Sequence, residues 1–208
     1  MSQKDVEKII ERELQGLPGW CTNEKGKRMS ELARGAELCV ELGVFGGRSL
    51  LAITLALADQ GCGRADGIDP FEAAASLEGS NDSANDEWWS SLDYAAIERA
   101  ARDALQRLDL SPKYAQIIRM RSREVVALYE DGSIDLLHQD SNHSEEVSCE
   151  EVFLWTPKIR PGGYWIFDDT NWPSTQRAQR ELAALGFTEL EDHGGWKVYK
   201  NDKSISRI

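Results

Sequence analysis

The feature that most constrains this chain is an alternation. Short apolar runs of strand length alternate with stretches at helical spacing over most of the sequence. The strand-like runs are residues 37–42, 65–68, 115–120, 134–138, 164–167, 187–191 and 196–200. Helical stretches follow the first five of them: 49–58, 93–108, a start at Ser122, a stretch carrying Val147, Val152, Phe153 and Trp155, and 177–185. Strands separated by helices return by crossovers, which gives a mostly parallel sheet covered on both faces. Right-handed crossovers then predict a doubly wound, Rossmann-like α/β fold. The last two runs flank His193-Gly194-Gly195, so an antiparallel edge hairpin is expected at the C-terminal end.

The length of 208 residues suits a single domain spanning 1–208. Two helices are expected within residues 1–35. One carries Val6, Ile9, Ile10 and Leu14 and stops near Gly16 and Pro18; the other carries Met29, Leu32 and Ala33 and stops at Gly35. Pro161-Gly162-Gly163 is expected to separate a helix from the fifth strand. Residues 72–92 break the alternation. They are polar but contain Trp88 and Trp89, which seldom sit in open solvent, so an ordered excursion and a lid are expected there.

Charge narrows the partners. The net charge of -12 repels phosphate backbones and does not favour anionic membrane surfaces, so neither nucleic acid nor membrane is expected. The opening MSQKDVEKII has no apolar signal core, no spanning run occurs, and the four cysteines show no ligand spacing. A cytoplasmic location with reduced thiols is the expectation. A small-molecule substrate is expected, and the sequence leaves the oligomeric state open, a homo-oligomer included.

In such sheets ligands bind beyond the carboxyl ends of the strands. The first strand ends in Glu41-Leu42-Gly43-Val44-Phe45-Gly46-Gly47-Arg48-Ser49. Glycines there allow a sharp turn and close approach to a ligand, and the next helix aims free N–H groups at it. The loop is not GxGxxG, and Glu41 would repel a pyrophosphate but attract an ammonium. A glycine-rich turn with no ligand fits the same residues. The second strand ends in Asp69-Pro70, where an acid can accept bonds from ribose hydroxyls, or simply form a turn. The third ends in Arg121-Ser122, an edge suited to an adenine and equally to a helix cap.

The fourth strand ends in Gln139-Asp140-Ser141-Asn142-His143 and the fifth in Asp168-Asp169. Asp140, Asp168 and Asp169 converge at neighbouring strand ends, and three unpaired negative charges there would be costly. A divalent cation relieves that cost, and oxygen donors without cysteine suit Mg²⁺. Helix capping is the plainer role for the same acids. His143, three residues after Asp140, can face the same cleft and take a proton from a hydroxyl. His138 sits inside an apolar run and reads as a structural core residue; His193 reads as solvent-facing.

The segments VELGVFGGRS, GIDPF, IDLLHQDSNHS and RPGGYWIFDD resemble class I S-adenosylmethionine (SAM)-dependent methyltransferases. They are most similar to the small bacterial branch that includes cephalosporin-hydroxylase-like proteins, and to the catechol O-methyltransferase group. The likeness covers roughly residues 20–200. It implies that Glu41 lies near the SAM amino group, that Gly43, Val44, Phe45, Gly46 and Ser49 surround its methionine part, that Asp69 and Pro70 meet the ribose, and that Arg121 and Ser122 meet the adenine. Asp140 borders the same cofactor. The resemblance also implies Mg²⁺ on Asp140, Asp168 and Asp169, with Asp where the catechol group has Asn. His143 stands where that group has its lysine base.

The function expected is metal-assisted O-methylation of a small hydroxylated molecule, with Asp140 and His143 catalytic. A SAM-binding protein without catalysis is the main alternative. An NAD-dependent oxidoreductase is disfavoured because GxGxxG is missing, and a serine hydrolase because no GxSxG occurs.

Overall fold

A computed structural model describes residues 3–202; residues 1–2 and 203–208 of the expected domain and of its opening helix lie outside the described residues. Helices α1 (Gln3–Leu14) and α2 (Asn23–Leu32) precede β1 (Leu38–Leu42), and α3 (Arg48–Gln60) leads to β2 (Arg64–Ile68). The excursion holds α4 (Ala73–Ser76) and α5 (Ser83–Ser90), and α6 (Tyr94–Arg107) leads to β3 (Ala115–Ile118). Then come α7 (Ser122–Val125), β4 (Ile134–Gln139), α8 (Glu145–Trp155) and β5 (Ile159–Asp168). Helix α9 (Gln176–Ala184) precedes the hairpin of β6 (Phe187–Asp192) and β7 (Trp196–Asn201).

The strands form one sheet in the order β3-β2-β1-β4-β5-β7-β6. The first five pair in parallel, and β7 and β6 complete an antiparallel edge. This is the doubly wound fold with the edge hairpin that the alternation predicts. The order reverses between β1 and β4, which leaves a crevice beyond their carboxyl ends.

Both faces of the sheet are covered. On one side α1, α2, α3 and α6 pack Val6, Ile10, Met29, Leu50, Ile53 and Leu105. On the other, α8 and α9 pack Val152, Trp155, Ala178 and Leu182. Helix α3 is buried without a break from Ser49 to Leu57, because it lies between the sheet and three other helices. That explains its nearly all-apolar sequence. Gly26 keeps α2 close: a Cβ there would sit 3.2 Å from both Ile10 and Leu14.

One boundary differs from the sequence reading. Strand β5 begins at Ile159, not Tyr164, and Pro161-Gly162-Gly163 lies inside it. The pairing with β4 shifts register at this point, so the proline and glycines form an irregularity that the strand absorbs.

Candidate active site

The site is built on the ends of β1, β4 and β5. Gly43 has a φ of 86°, and a Cβ there would overlap the Asp140 carbonyl. The glycine thus serves first to let the β1 loop lie against the β4 loop. Gly46 is packed as tightly against Pro18, and Gly47 caps α3 with a φ of 83° and no side-chain bond to the helix.

Asp69 shapes this loop from below. Its Oδ2 accepts the Val44 and Phe45 N–H groups at 2.9 Å each, and its Oδ1 accepts that of Phe71 at 2.7 Å. Burial pushes its carboxyl above the ordinary range, although the three N–H donors oppose this.

Two cavities meet over these strand ends. The first is a narrow cleft of about 100 Å³, whose walls include Gly43, Ile68, Asp69, Phe71, Arg121 and Ser122. The second is roomier, about 570 Å³, and is lined by Lys25, Ser49, Asp168, Asp169 and five tryptophans, Trp20, Trp88, Trp89, Trp172 and Trp196. Phe45, Asp140, Ser141 and His143 belong to both walls.

The acids expected at the strand ends do converge, but they are not unpaired. His143 Nε2 lies 3.0 Å from Asp169 and 3.6 Å from Asp140. His138 Nε2 lies 3.6 Å from Asp168 and 3.9 Å from Asp140. The Lys25 ammonium, only 4% exposed, is bonded to Asp168. Burial and the neighbouring Asp168 raise Asp140 to about 6. Asp168 is buried too, yet Lys25 and His138 hold it well below the carboxylate range. Burial disfavours the charged form of His143, but Asp140 and Asp169 outweigh it and raise the imidazole. Asp169 itself is raised by burial.

Two expected placements differ, and a third gains detail. His138 is the structural core residue expected: fully buried on β4, it meets Glu41 Oε1 through Nδ1 at 2.8 Å, and its Nε2 has no hydrogen-bond partner among the described residues. Glu41 in turn lies beneath the loop, fully buried, and lines neither cavity. Ser122 is not the helix cap; Arg121 holds that place, its N–H bonded to Glu124, while Ser122 Oγ donates to Glu151 at 2.7 Å. Arg121 also pairs with Glu72 and Glu78, so it anchors the excursion.

Sequence reasoning missed Lys25. The available signal was a lysine in the first turn of a helix capped by Thr22, where the helix dipole opposes positive charge.

A cation could be held by either of two donor sets, His138 with Asp140 and Asp168, or Asp140 with His143 and Asp169, each with ligand atoms within 4.8 Å. Asp168 and Asp169 thus fall into different sets, and each set contains an imidazole. That mixture suits a divalent ion accepting nitrogen and oxygen better than the all-oxygen Mg²⁺ site expected.

Comparison with known proteins fits this architecture. A family model described as a methyltransferase domain matches residues 40–170, more than half of the chain. The chain belongs to this methyltransferase-domain family. The match spans β1 to the turn after β5, so every strand end described above lies within it. No curated protein sequence matches the chain. Among solved structures, the O-methyltransferase NovP is similar with a TM-score of 0.71 at 15% identity, covering 95% of this chain and 88% of its own. TomG from Streptomyces achromogenes, an O-methyltransferase in tomaymycin synthesis solved with SAM, gives 0.59 at 15% identity, covering 94% and 87%. An O-methyltransferase from Bacillus cereus solved with SAH gives 0.56 at 15% identity, covering 95% and 90%. These likenesses establish the methyltransferase fold, as the resemblance in the sequence implied. No helix among the described residues is long and apolar enough to cross a membrane.

Proposed function

We propose that this methyltransferase domain moves the methyl group of SAM to a hydroxyl of a small molecule. The observation that carries the reading is the junction of two cavities at Asp140 and His143. One cavity suits the donor and the other the acceptor, so the reacting atoms would meet at that shared wall. The similar structures solved with SAM or SAH, and described as O-methyltransferases, support the same reading.

When bound, SAM supplies a methyl group made electrophilic by a sulfonium. The rest falls to the chain. Ile68 and Phe71 offer apolar walls to an adenosine, Asp69 and Pro70 face its ribose, and Arg121 and Ser122 close the far edge. Gly43 and Phe45 of the β1 loop line the same cleft, where the methionine part would extend toward Asp140. His143 Nε2 takes the hydroxyl proton, and Asp169 and Asp140, 3.0 and 3.6 Å from that nitrogen, stabilise the imidazolium that forms. Holding the two reactants in line supplies much of the rate. The excursion, residues 72–92, acts as a lid that excludes water.

A divalent cation is a second reading, favoured by the two donor sets. Asp140 would be its common ligand, with His143 and Asp169 on the open side, and its charge would acidify a nearby hydroxyl. A small-molecule acceptor in the cytoplasm goes with the acidic composition and the free thiols.

Calorimetric titration of SAH tests the core of the proposal, with binding at one site per chain expected. If no heat of binding appears, the methyltransferase reading fails. Methyl transfer that persists in EDTA would remove the cation and leave the rest intact.

A further inference from the structure

Lys25 lines the site but has no part in the reaction just described. It is buried at the N-terminal turn of α2, against the helix dipole, where a lysine costs stability twice over. A buried ion pair seldom repays desolvation when compared with apolar packing. Stability therefore does not explain the residue. Its placement is also fixed. Thr22 caps the turn by accepting the Lys25 N–H, and Gly26 seats α2 tightly on α1 and α3. The ammonium bonds Asp168, sits 5.9 Å from the centre of the Trp196 ring and lines the larger cavity. His138 Nε2 stands 3.6 Å from the same Asp168 oxygen and is backed by Glu41.

We propose that Lys25 is the resident cation of the acid cluster, holding Asp168 in place and supplying beside the acceptor oxygen the positive charge that a divalent ion would otherwise bring. The proposal rests on reading the larger cavity as the acceptor site. In the transfer, the acceptor O–H bond breaks with its proton passing to His143. The oxygen forms a bond to the methyl carbon, and the carbon–sulfur bond breaks with its electron pair returning to sulfur. Lys25 exchanges no proton; its fixed charge faces the oxygen as negative charge gathers there.

The ammonium on Asp168 competes with a divalent ion for the set of His138, Asp140 and Asp168 and repels one held by Asp140, His143 and Asp169, and this gives a readout independent of turnover. Mn²⁺ binding, followed by electron paramagnetic resonance, is to be measured in the wild type, Lys25→Met, Lys25→Gln and Lys25→Arg. Both neutral variants are expected to bind Mn²⁺ at least about tenfold more tightly than the wild type, because a like charge within a few ångströms is removed. Lys25→Arg keeps the charge and is expected to stay close to the wild type. Mn²⁺ binding that is unchanged or weaker in the neutral variants overturns the proposal. Should both neutral variants fail to fold, the wild type decides: millimolar Mn²⁺ affinity supports a resident ammonium, and micromolar affinity overturns it. SAH titration of the same proteins separates the two levels. Its binding is expected to be unchanged in every variant, and its absence from the wild type would sink the methyltransferase reading while leaving the cation result standing.

Discussion

The floor and the roof of this site are built by different means. The floor is the ends of β1, β4 and β5 and the short loops they launch, anchored by strand pairing; Asp140 N–H, for example, continues the ladder to the Leu42 carbonyl at 2.8 Å. The roof is the excursion, together with the segment joining α1 to α2. Neither of its helices, α4 or α5, has a fully buried residue. Its near half is fixed by side chains. Asn142 donates to the carbonyls of Ala75, Ser76 and Glu78 at 2.9–3.0 Å, and Glu78 pairs with Arg121 and Arg123. Its far half is held by an aromatic cluster of Trp20, Phe45, Trp88 and Trp89, with ring centres 4.8–6.2 Å apart. The contrast teaches that the chemistry sits on the rigid part, and that access is governed by the part held through side chains alone.

The largest effect should come from the floor. His143→Ala removes the proposed proton acceptor, so methyl transfer is expected to fall about 100- to 10,000-fold. SAH affinity should stay within a few fold, since the imidazole stands at the junction and not deep in the donor cleft. The pH profile carries the same information. The imidazole must be neutral to accept a proton, and Asp140 and Asp169 raise its pKa against the effect of burial. Transfer by the wild type should therefore climb as pH rises through and above neutrality, then level off. A profile that is flat over this range, or that falls, would assign the proton to another group.

The second effect concerns the stability of the floor. His138→Leu leaves Glu41 buried without its partner, a loss of about 3–5 kcal/mol in urea unfolding. Glu41→Gln combined with His138→Leu should recover a large part of that loss, and the double-mutant cycle measures the coupling. Burial and Lys25 pull the His138 pKa down, but Asp168 and Glu41 outweigh them and raise it to about 9. A folded-state pKa above the unfolded value contributes stability at low pH that is lost as pH rises through about 9. Wild-type stability should fall between neutral pH and that point, by an amount on the order of 1–3 kcal/mol. In the double variant the His138 share of this slope should vanish, leaving that of His143.

How much of this was legible in the sequence follows the same division. Strand ends announce themselves by an apolar run followed by a turn, so Gly43, Asp69, Asp140, His143, Asp168 and Asp169 could all be assigned to one crevice from spacing alone. The partner of His138 was hidden because one polar residue in an apolar run looks the same whether it is idle or bonded. Only the register opposite Glu41 on β1 separates the two cases. Lys25 and Trp20 were invisible for another reason. They reach the site from before β1, across the packing of α2, and no local pattern encodes that approach. The Pro161-Gly162-Gly163 break was read as a boundary because a strand that tolerates a register shift carries the same residues as a strand that ends there.

The smallest effect should come from the roof, and it tests the comparison most directly. Trp88 is 39% exposed and touches only the rings of Trp20, Phe45 and Trp89 among its aromatic neighbours. If the far half of the excursion is held by side chains alone, Trp88→Ala should lower stability by about 1 kcal/mol or less, well below the roughly 3–5 kcal/mol of a tryptophan removed from a packed core. The visible consequence should lie in access. The loosened lid should be cut faster by a protease between α4 and α5, and SAH should slow that cutting by holding the lid closed. The variant should weaken the hold on the acceptor, seen as a several-fold rise in KM, while kcat stays nearly constant because His143 and the strand ends are untouched. A loss of stability as large as that of a core tryptophan would show that the excursion is as integral as the floor. A loss confined to kcat would place Trp88 among the groups that align the reactants, and the division into floor and roof would have to be redrawn at Phe45, the one ring that belongs to both.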